Sequence, residues 1–290
     1  MLSVHDITSY DDTMTAVDYH DQTTLLTGAS AGIGAEFARQ LAARGSHLVL
    51  VARREERLSK LAAESEAAHG IRVATIALDL SQPHAGAILA DQVRSRGIQV
   101  TSLVNCAGFG TFGPFHHEDP QRLTDEIAVD VNAVVDITRS FITDLRTAGN
   151  GVLINVASMA AYQPTPNMAV YGAAKAFVLS FTEALWQESL GTGLRVLTLS
   201  PGATDTEFFD VIGTENAAGG TRLHTPKQAV DTALRALDRR NPPPSIAVGA
   251  VNRAALVAQR LASRRRIILT LAAMTKSNQR SNQRRSARSR

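Results

Sequence analysis

The stretch "TTLLTGASAGIGAEFARQLAARG", Thr23 to Gly45, joins a short apolar run, a glycine-rich turn and a segment of helical period. Five apolar or β-branched residues in succession are typical of a buried strand. Ile33, Phe37 and Leu41 recur every four residues, which places them on one face of a helix, and Gly45 is suited to end that helix. The stretch therefore predicts a strand, a tight turn and a helix.

The same alternation continues along the chain. Continuous apolar runs are typical of strands buried on both faces, as in parallel sheets, and parallel neighbours need helical crossovers. We therefore predict a single α/β domain with a doubly wound, Rossmann-type parallel sheet of seven strands. The six further runs are "HLVLVA" (47–52), "RVATIAL" (72–78), "VTSLVN" (100–105), "GVLINVA" (151–157), "LRVLTLS" (194–200) and "IAVGA" (246–250).

Charge is distributed unevenly over the 290 residues. Residues 1–22 hold five Asp and no Lys or Arg, whereas residues 260–290 hold ten Lys or Arg and no acid. We predict an acidic extension at 1–22, a dinucleotide-binding catalytic domain at 23–250, and a C-terminal helix with a basic tail at 251–290. The tail has the composition of a solvated segment, and contact with nucleic acid or anionic lipid is the alternative.

The composition also limits the compartment and the metal chemistry. Cys106 is the single cysteine, so no internal disulfide can form, and a cytoplasmic protein is expected. The chain opens without a basic, apolar signal segment, and "IILTLAAM" (267–274) is too short to span a membrane. His116 and His117 in "FHHED" (115–119) point apart, so we expect no metal site.

Ligands of doubly wound sheets collect at the carboxyl ends of the strands. Gly28, Gly32 and Gly34 follow the first strand, where glycines and a helix N-terminus can hold a pyrophosphate. A tight turn with nothing bound is the alternative. The letters "GASAG" also match the G-x-S-x-G turn of α/β-hydrolases, with Ser30 as nucleophile, but no acid is obviously placed to orient the last histidine, His224.

Arg53 and Arg54 follow the second strand, where an acidic residue would bind the ribose of NAD. A guanidinium suits a 2′-phosphate instead, so the sequence favours NADP. The alternative is a pair of ordinary surface arginines. The next strand ends carry Asp79, then "NCAG" (105–108), Ser158 and "PGATDT" (201–206), which share one edge of the sheet.

Tyr171 and Lys175 stand four apart in "VYGAAKAF" (170–177), so on a helix they share a face. The motifs "TGASAGIG", "LDL", "NCAG", "DVNAV", Ser158, "YGAAK" and "PGATDT" occur in the order and spacing of the short-chain dehydrogenase/reductase family. Over residues 23–250 the chain resembles that family, and in particular its NADP-preferring branch. Cys106 departs from the pattern, which more often has a second Asn there.

The resemblance implies a role for each motif. Tyr171 is expected to be the general acid or base, with Lys175 lowering its pKa and binding the nicotinamide ribose. Ser158 would hold the carbonyl oxygen, and Asn132 would position a water that relays protons to Lys175. Contacts to the cofactor are implied for Gly28, Ser30, Gly32, Ile33, Gly34, Arg53, Arg54, Asp79, Leu80, Asn105, Ala107, Gly108, Tyr171, Lys175, Pro201, Gly202, Thr204 and Thr206.

The expected function is hydride transfer between NADP(H) and a carbonyl or secondary alcohol. Apolar residues around the predicted pocket favour an uncharged, apolar substrate: Phe109, Phe112, Met159, Tyr162, Phe208 and Phe209. By resemblance the protein would be a homodimer or homotetramer. The alternative function is a regulator or scaffold that binds NADP without turnover and acts through its basic tail.

Overall fold

A computed structural model describes residues 16–214, 217, 223–259 and 261–273. Seven parallel strands form one sheet in the order β3-β2-β1-β4-β5-β6-β7, which confirms the predicted doubly wound fold. The strands are β1 (Thr23–Thr27), β2 (His47–Ala52), β3 (Val73–Ala77), β4 (Ser102–Asn105), β5 (Val152–Val156), β6 (Arg195–Ser200) and β7 (Ser245–Ala247).

Helices cover both faces of this sheet. They are α1 (Gly32–Ala42), α2 (Glu55–His69), α3 (Ala85–Ser95), α4 (Pro120–Ile127), α5 (Ala133–Ala148), α6 (Ala169–Glu188), α7 (Phe208–Ile212), α8 (Pro226–Leu237) and α9 (Ala250–Gln259). One π-helical turn, Ala128–Asn132, joins α4 to α5, and short 3₁₀ turns lie at Phe115–His117 and Met159–Tyr162.

The hydrophobic core has one layer on each face of the sheet. Phe37 and Leu41 of α1 are fully buried in one layer, together with residues of α2 and α8. Phe141 and Leu145 of α5 are fully buried in the other, together with residues of α3. The four-residue spacing read from Ile33, Phe37 and Leu41 therefore does predict the buried face of α1, where Ile33 is partly buried.

Part of the predicted N-terminal extension packs onto this core. Tyr19 is buried, and the Arg44 guanidinium lies 5.5 Å from the centre of its ring. Gln22 donates a hydrogen bond from its side chain to the carbonyl of Asn150 at 3.0 Å. Residues 16–22 thus belong structurally with the domain, while 1–15 lie outside the described residues.

The described helices include none that is long and apolar enough to cross a membrane. In the same part of the chain, no group of three or more His, Cys, Asp or Glu side chains is arranged to hold a metal ion.

Candidate active site

The glycine turn after β1 has room for backbone and for little else. A Cβ on Gly34 would lie 2.2 Å from the carbonyl oxygen of Gly28, and one on Gly28 would lie 2.8 Å from the amide nitrogen of Ala107. Gly28 also has φ near +68°, which favours glycine. No side chain caps α1, because Ala31 holds the N-cap position, so its first N–H groups are free to bind an anion. These features fit the pyrophosphate of a dinucleotide.

The loop after β4 lies against this turn. The hydroxyl of Thr27 accepts hydrogen bonds from the N–H groups of Cys106, at 3.0 Å, and Ala107, at 3.1 Å. The side chain of Asn105 donates to Asn155 at 2.9 Å and to Thr138 at 3.0 Å, and the cofactor contact expected of Asn105 stays a prediction. The side chain of Asn105 therefore ties β4 to β5 and α5, and only the following residues of this loop line the cavity.

The two predicted arginines lie at the same edge, but Arg54 makes the contact with the glycine turn. Its Nε and one terminal nitrogen donate to the hydroxyl of Ser30 at 3.2 and 3.0 Å. Arg54 also forms an ion pair with Glu207 at 2.7 Å, and Arg57 pairs with the same carboxylate. The structure thus adds Glu207 to the residues that line the cavity, while Arg57 pairs with it without being part of the lining.

Arg53 lines the cavity beside Asp79 and Leu80. The carboxylate of Asp79 accepts hydrogen bonds from the N–H and the hydroxyl of Ser81, at 3.0 and 2.9 Å. These bonds, helped by the charge of Arg53, hold the pKa of Asp79 below its usual value. Asp79 is therefore ionised at neutral pH and can accept hydrogen bonds.

The loop after β6 crosses the glycine turn. Pro201, Gly202, Thr204 and Thr206 all line the cavity, and their expected contact with the cofactor stays a prediction. A Cβ on Gly32 would lie 2.9 Å from the methyl group of Thr206, so the two loops are in close contact. The carbonyl of Pro201 accepts a hydrogen bond from the N–H of Met159 at 2.8 Å, which fixes the loop beside Ser158.

Tyr171 and Lys175 lie on the buried face of α6, 8% and 5% exposed. The ammonium nitrogen of Lys175 lies 5.6 Å from the centre of the tyrosine ring, and Ser158 lines the same cavity. Burial raises the pKa of Tyr171, and the Lys175 ammonium and the Ser158 hydroxyl only partly offset it. The sequence predicts that Lys175 lowers the pKa of Tyr171. Among the described residues this pKa is instead raised, because burial outweighs the effect of the ammonium.

Asp130 is the nearest charged partner of Lys175. Its carboxylate lies 3.0 Å from the ammonium nitrogen, and neither side chain is more than 6% exposed. Asp130 lies within the π-helical turn that also contains Asn132, whose side chain is exposed. The role expected of Asn132 therefore stays a prediction, and the structure shows a carboxylate beside Lys175 that the sequence motifs did not identify.

Glu126 lies one turn before Asp130 and is also fully buried. Neither of its carboxylate oxygens has a hydrogen-bond partner among the described residues. Burial and then the charge of Asp130 raise the pKa of Glu126 to about 7, while the polar groups of Thr111 offset only part of this effect. Glu126 is therefore partly protonated at neutral pH.

A cavity of about 980 Å³ joins the glycine turn with Ser158, Tyr171 and Lys175, while Glu126, Asp130 and Asn132 do not form part of its lining. Phe109, Met159, Phe208 and Phe209 line it, as predicted, and the ring of Phe208 lies 5.3 Å from that of Tyr171. Phe112 and Tyr162 do not form part of this wall. The hydroxyl of Tyr162 instead lies 3.3 Å from that of Ser200.

The C-terminal region closes one side of the cavity. Lining residues come from α9, from Ala262 in the following turn and from a further helical stretch at 264–273: Asn252, Ala255, Ala258, Gln259, Ala262, Arg266, Ile267, Thr270 and Leu271. The prediction of a solvated tail is therefore wrong for this described part, because Ile267 and Leu271, one helical turn apart, lie against the cavity. Residues 274–290 of the tail lie outside the described residues.

The surroundings of Ser30 differ from those of a hydrolase nucleophile. The hydroxyl of Ser30 accepts hydrogen bonds from a guanidinium, which does not remove protons. His224 instead forms a bridge with Thr204 in the loop after β6. Ser30 thus has an anion-binding environment and not that of an activated serine.

Comparison with known proteins assigns this arrangement to a family. The model of the family "short chain dehydrogenase" matches residues 22–217. Over 215 residues the chain is 37% identical to sulfoacetaldehyde reductase 2 of Chromohalobacter salexigens, covering 72% of this chain and 84% of the relative. It is 30% identical to the 7beta-hydroxysteroid dehydrogenase of Collinsella aerofaciens over 222 residues, covering 74% and 82%.

Among solved structures, a short-chain dehydrogenase from Sphingobium yanoikuyae in complex with NADPH superposes with a TM-score of 0.73 and 31% identity, over 83% of this chain and 93% of the other. The protein belongs to the short-chain dehydrogenase/reductase family and is an oxidoreductase acting on CH–OH groups.

Proposed function

We propose that the protein transfers a hydride between NADP(H) and a carbonyl or secondary alcohol of an uncharged, apolar substrate. The observation that carries this proposal is the meeting of Ser158, Tyr171 and Lys175 with the glycine turn at a single cavity. A protein that only binds a dinucleotide gains nothing from a phenol buried beside an ammonium.

The chemistry divides between the cofactor and the chain. When bound, NADPH supplies the hydride. Ser158 donates a hydrogen bond to the substrate oxygen, and Tyr171 gives its phenolic proton to that oxygen as negative charge develops on it. Lys175 stabilises the phenolate that remains, because an ammonium favours the charged form of a neighbouring phenol. In the oxidation direction Tyr171 accepts the proton instead.

The preference for NADP is supported by the guanidinium groups at the end of β2. Arg54 already holds the hydroxyl of Ser30, and Arg53 lines the same cavity, so a 2′-phosphate would meet up to two cations and a hydroxyl. Glu207 competes for Arg54 at 2.7 Å. A phosphate therefore has to displace this carboxylate from Arg54.

The substrate class is supported by the walls of the cavity. Aromatic and methionine side chains surround Tyr171, and Ala255 and Ala258 of α9 close the opposite side beside the amides of Asn252 and Gln259. Such walls stabilise an apolar substrate by removing its surface from water. Arg266 is a cation among the lining residues, and a panel of carbonyl compounds with and without acidic groups tests its effect.

The test compares two variants that each remove one hydroxyl. We expect Tyr171→Phe to bind NADPH as the wild type does but to lose turnover by a factor on the order of 10² to 10⁴. Tyr162→Phe is the control, because its hydroxyl lies beside Ser200 and outside the cavity lining. NADPH binding is followed by fluorescence titration and turnover by NADPH consumption over a panel of aldehydes and ketones, with NADH in parallel. Turnover by Tyr171→Phe at the wild-type rate would refute the role of Tyr171.

We also propose self-association. Ile127 on α4 and Phe177 on α6 are large apolar side chains, 43% and 42% exposed, and Phe177 stacks on Phe181 at 5.8 Å. A homodimer or homotetramer measured by light scattering, converted to smaller species by Phe177→Glu, is the expected result; a monomeric wild type would contradict it.

A further inference from the structure

Two fully buried carboxylates lie next to the proposed acid–base pair and have no part in the chemistry described above. Asp130 and Glu126 are each 0% exposed. They stand four residues apart across the junction of α4 with the π-helical turn. Buried acids are rare unless they are paired, since removing a charge from water is costly. Both side chains therefore call for a physical explanation.

Asp130 is held on two sides. One carboxylate oxygen accepts a hydrogen bond from the N–H of Phe109 at 3.0 Å, and the other lies 3.0 Å from the Lys175 ammonium. Burial opposes the charge of Lys175, but the carboxylate of Asp130 and the phenol of Tyr171 more than offset this effect, so the pKa of Lys175 lies above its usual value. Asp130 thus keeps Lys175 charged and fixes where its ammonium lies.

The backbone of the loop after β4 packs closely over this pair. A Cβ on Gly108 would lie 2.9 Å from both the Asp130 carboxylate and the Lys175 ammonium. In such surroundings the effective dielectric constant is low, so a charge added nearby acts strongly on its neighbours. Any change in the ionisation of Glu126 therefore reaches Lys175 and Tyr171.

The charges that face this cluster can be counted from the elements packed around it. The π-helical turn contributes Asp130 and α4 contributes Glu126, while α6 contributes Lys175 and Tyr171. The loop after β4 contributes Thr111, the N–H of Phe109 and the thiol of Cys106, whose pKa burial raises to about 12. Burial raises the pKa of Asp130, and the adjacent Lys175 ammonium counteracts this effect. With Asp130 ionised beside Lys175 and Glu126 protonated, the charges sum to zero; with Glu126 ionised as well, the cluster carries one net negative charge, which opposes ionisation of Tyr171.

We propose that Asp130 and Glu126 are positioning residues that set the ionisation of Tyr171 through Lys175, Asp130 by holding the ammonium and Glu126 by adjusting the net charge around it. The inference rests on the proposed function, because the ionisation of Tyr171 affects catalysis only if Tyr171 is the general acid or base. The physical coupling can nevertheless be measured without any substrate.

The experiment is a titration of Tyr171 in protein labelled with ¹³C on the tyrosine rings. The chain has four tyrosines, and the Tyr171→Phe protein identifies the signal of Tyr171. We expect Glu126→Gln to lower the titration midpoint of Tyr171 by roughly one pH unit. A unit charge on the order of 10 Å away at an effective dielectric constant of about 20 has an effect of that size. We expect Asp130→Asn to lower the midpoint further, because the negative charge of Asp130 opposes ionisation of Tyr171 directly and this effect should exceed the loss of its hold on the Lys175 ammonium. Asp130→Glu should restore most of the wild-type midpoint.

Glu188→Gln is the matched control, since it removes a carboxylate from the exposed end of the same α6 helix. An unchanged Tyr171 midpoint in both Glu126→Gln and Asp130→Asn would overturn the inference. If Asp130→Asn does not fold, Glu126→Gln and Asp130→Glu decide the question by themselves.

Activity then separates the two proposals. In the oxidation direction, the pH at which kcat/KM reaches half its maximum should fall in Glu126→Gln by about as much as the Tyr171 midpoint, with little change in the KM for NADP. A shifted Tyr171 midpoint in a protein without turnover would contradict the proposed function and leave the coupling intact. If the protein turns over substrate and neither substitution shifts the titration midpoint of Tyr171, the coupling is contradicted and the proposed function stands.

Discussion

Replacement of Glu126 by Gln should make the stability of the protein less sensitive to rising pH than that of the wild type. The pKa of Glu126 rises from 4.5 to about 7 on folding, because the side chain is buried beside the charge of Asp130. Between these two pH values the folded state keeps a proton that the unfolded state has lost. The free energy of unfolding that Glu126 contributes is therefore fully present below about pH 4.5 and lost as the pH rises through about 7.

The magnitude follows from this pKa difference. Each unit corresponds to about 1.4 kcal/mol, so the full change is on the order of 3 kcal/mol. Glutamine has nearly the same shape and no charge at any pH. In acid, the free energies of unfolding of the wild type and Glu126→Gln should then differ by an amount that does not depend on pH. From about pH 5 to pH 8 the free energy of unfolding of the wild type should fall by about 3 kcal/mol relative to that of the variant.

The assay is urea unfolding of both proteins at a series of pH values, with the difference in unfolding free energy plotted against pH. Groups that do not interact with Glu126 are shared and cancel in this difference, and the pKa values of Tyr171 and Lys175 are raised above their usual values, outside this pH range. Glu64→Gln is the control, because that carboxylate is 54% exposed on α2. A flat difference plot for Glu126→Gln would refute the reasoning, since it would mean that Glu126 ionises in the folded protein as easily as in the unfolded chain.

Two further predictions concern the cofactor. Gly34→Ala should weaken NADPH binding by at least about tenfold in a fluorescence titration, because its Cβ would lie 2.2 Å from the Gly28 carbonyl and distort the turn. Arg54→Ala should weaken NADPH binding by about tenfold and leave NADH binding nearly unchanged, because a charge-assisted hydrogen bond to the 2′-phosphate is lost.

Each of these has its own control. The control for Gly34→Ala is Gly70→Ala: Gly70 has a positive φ and its Cβ would meet nothing within 4 Å, so the substitution should cost about 1 kcal/mol of stability and no affinity for NADPH. Glu207→Gln removes the competitor of Arg54 and should bind NADPH at least as tightly as the wild type. Equal losses of NADH and NADPH affinity in Arg54→Ala would contradict the assignment of Arg54 to the phosphate.

The sheet could be predicted well from the sequence because its strands are buried on both faces. The runs at 23–27 and 47–52 are the strands β1 and β2 as the structure has them. Other runs overshoot at their ends: Arg72 and Leu78, for example, flank β3 without belonging to it. Apolar character shows that a strand exists, but hydrogen bonding to the neighbouring strand decides where it ends.

The parts of the site that escaped prediction depend on geometry that a sequence pattern does not contain. Glu126 and Asp130 are charged residues on a helical segment, which by pattern belong at the surface. The π-helical turn changes the helical phase at Asp130 and Asn132, so a period of 3.6 residues cannot place their side chains. Arg54 and Glu207 are 153 residues apart, and only the fold brings them together.

The most direct test of the central claim is the transfer of deuterium from NADPH labelled at the reactive carbon of its nicotinamide to an apolar ketone. The wild type should give an alcohol that carries one deuterium by mass spectrometry, and Tyr171→Phe should bind the labelled cofactor yet give almost none. Tight NADPH binding by the wild type with no deuterium in any product of a broad ketone and aldehyde panel would contradict the claim that the Tyr171 and Lys175 pair serves hydride transfer.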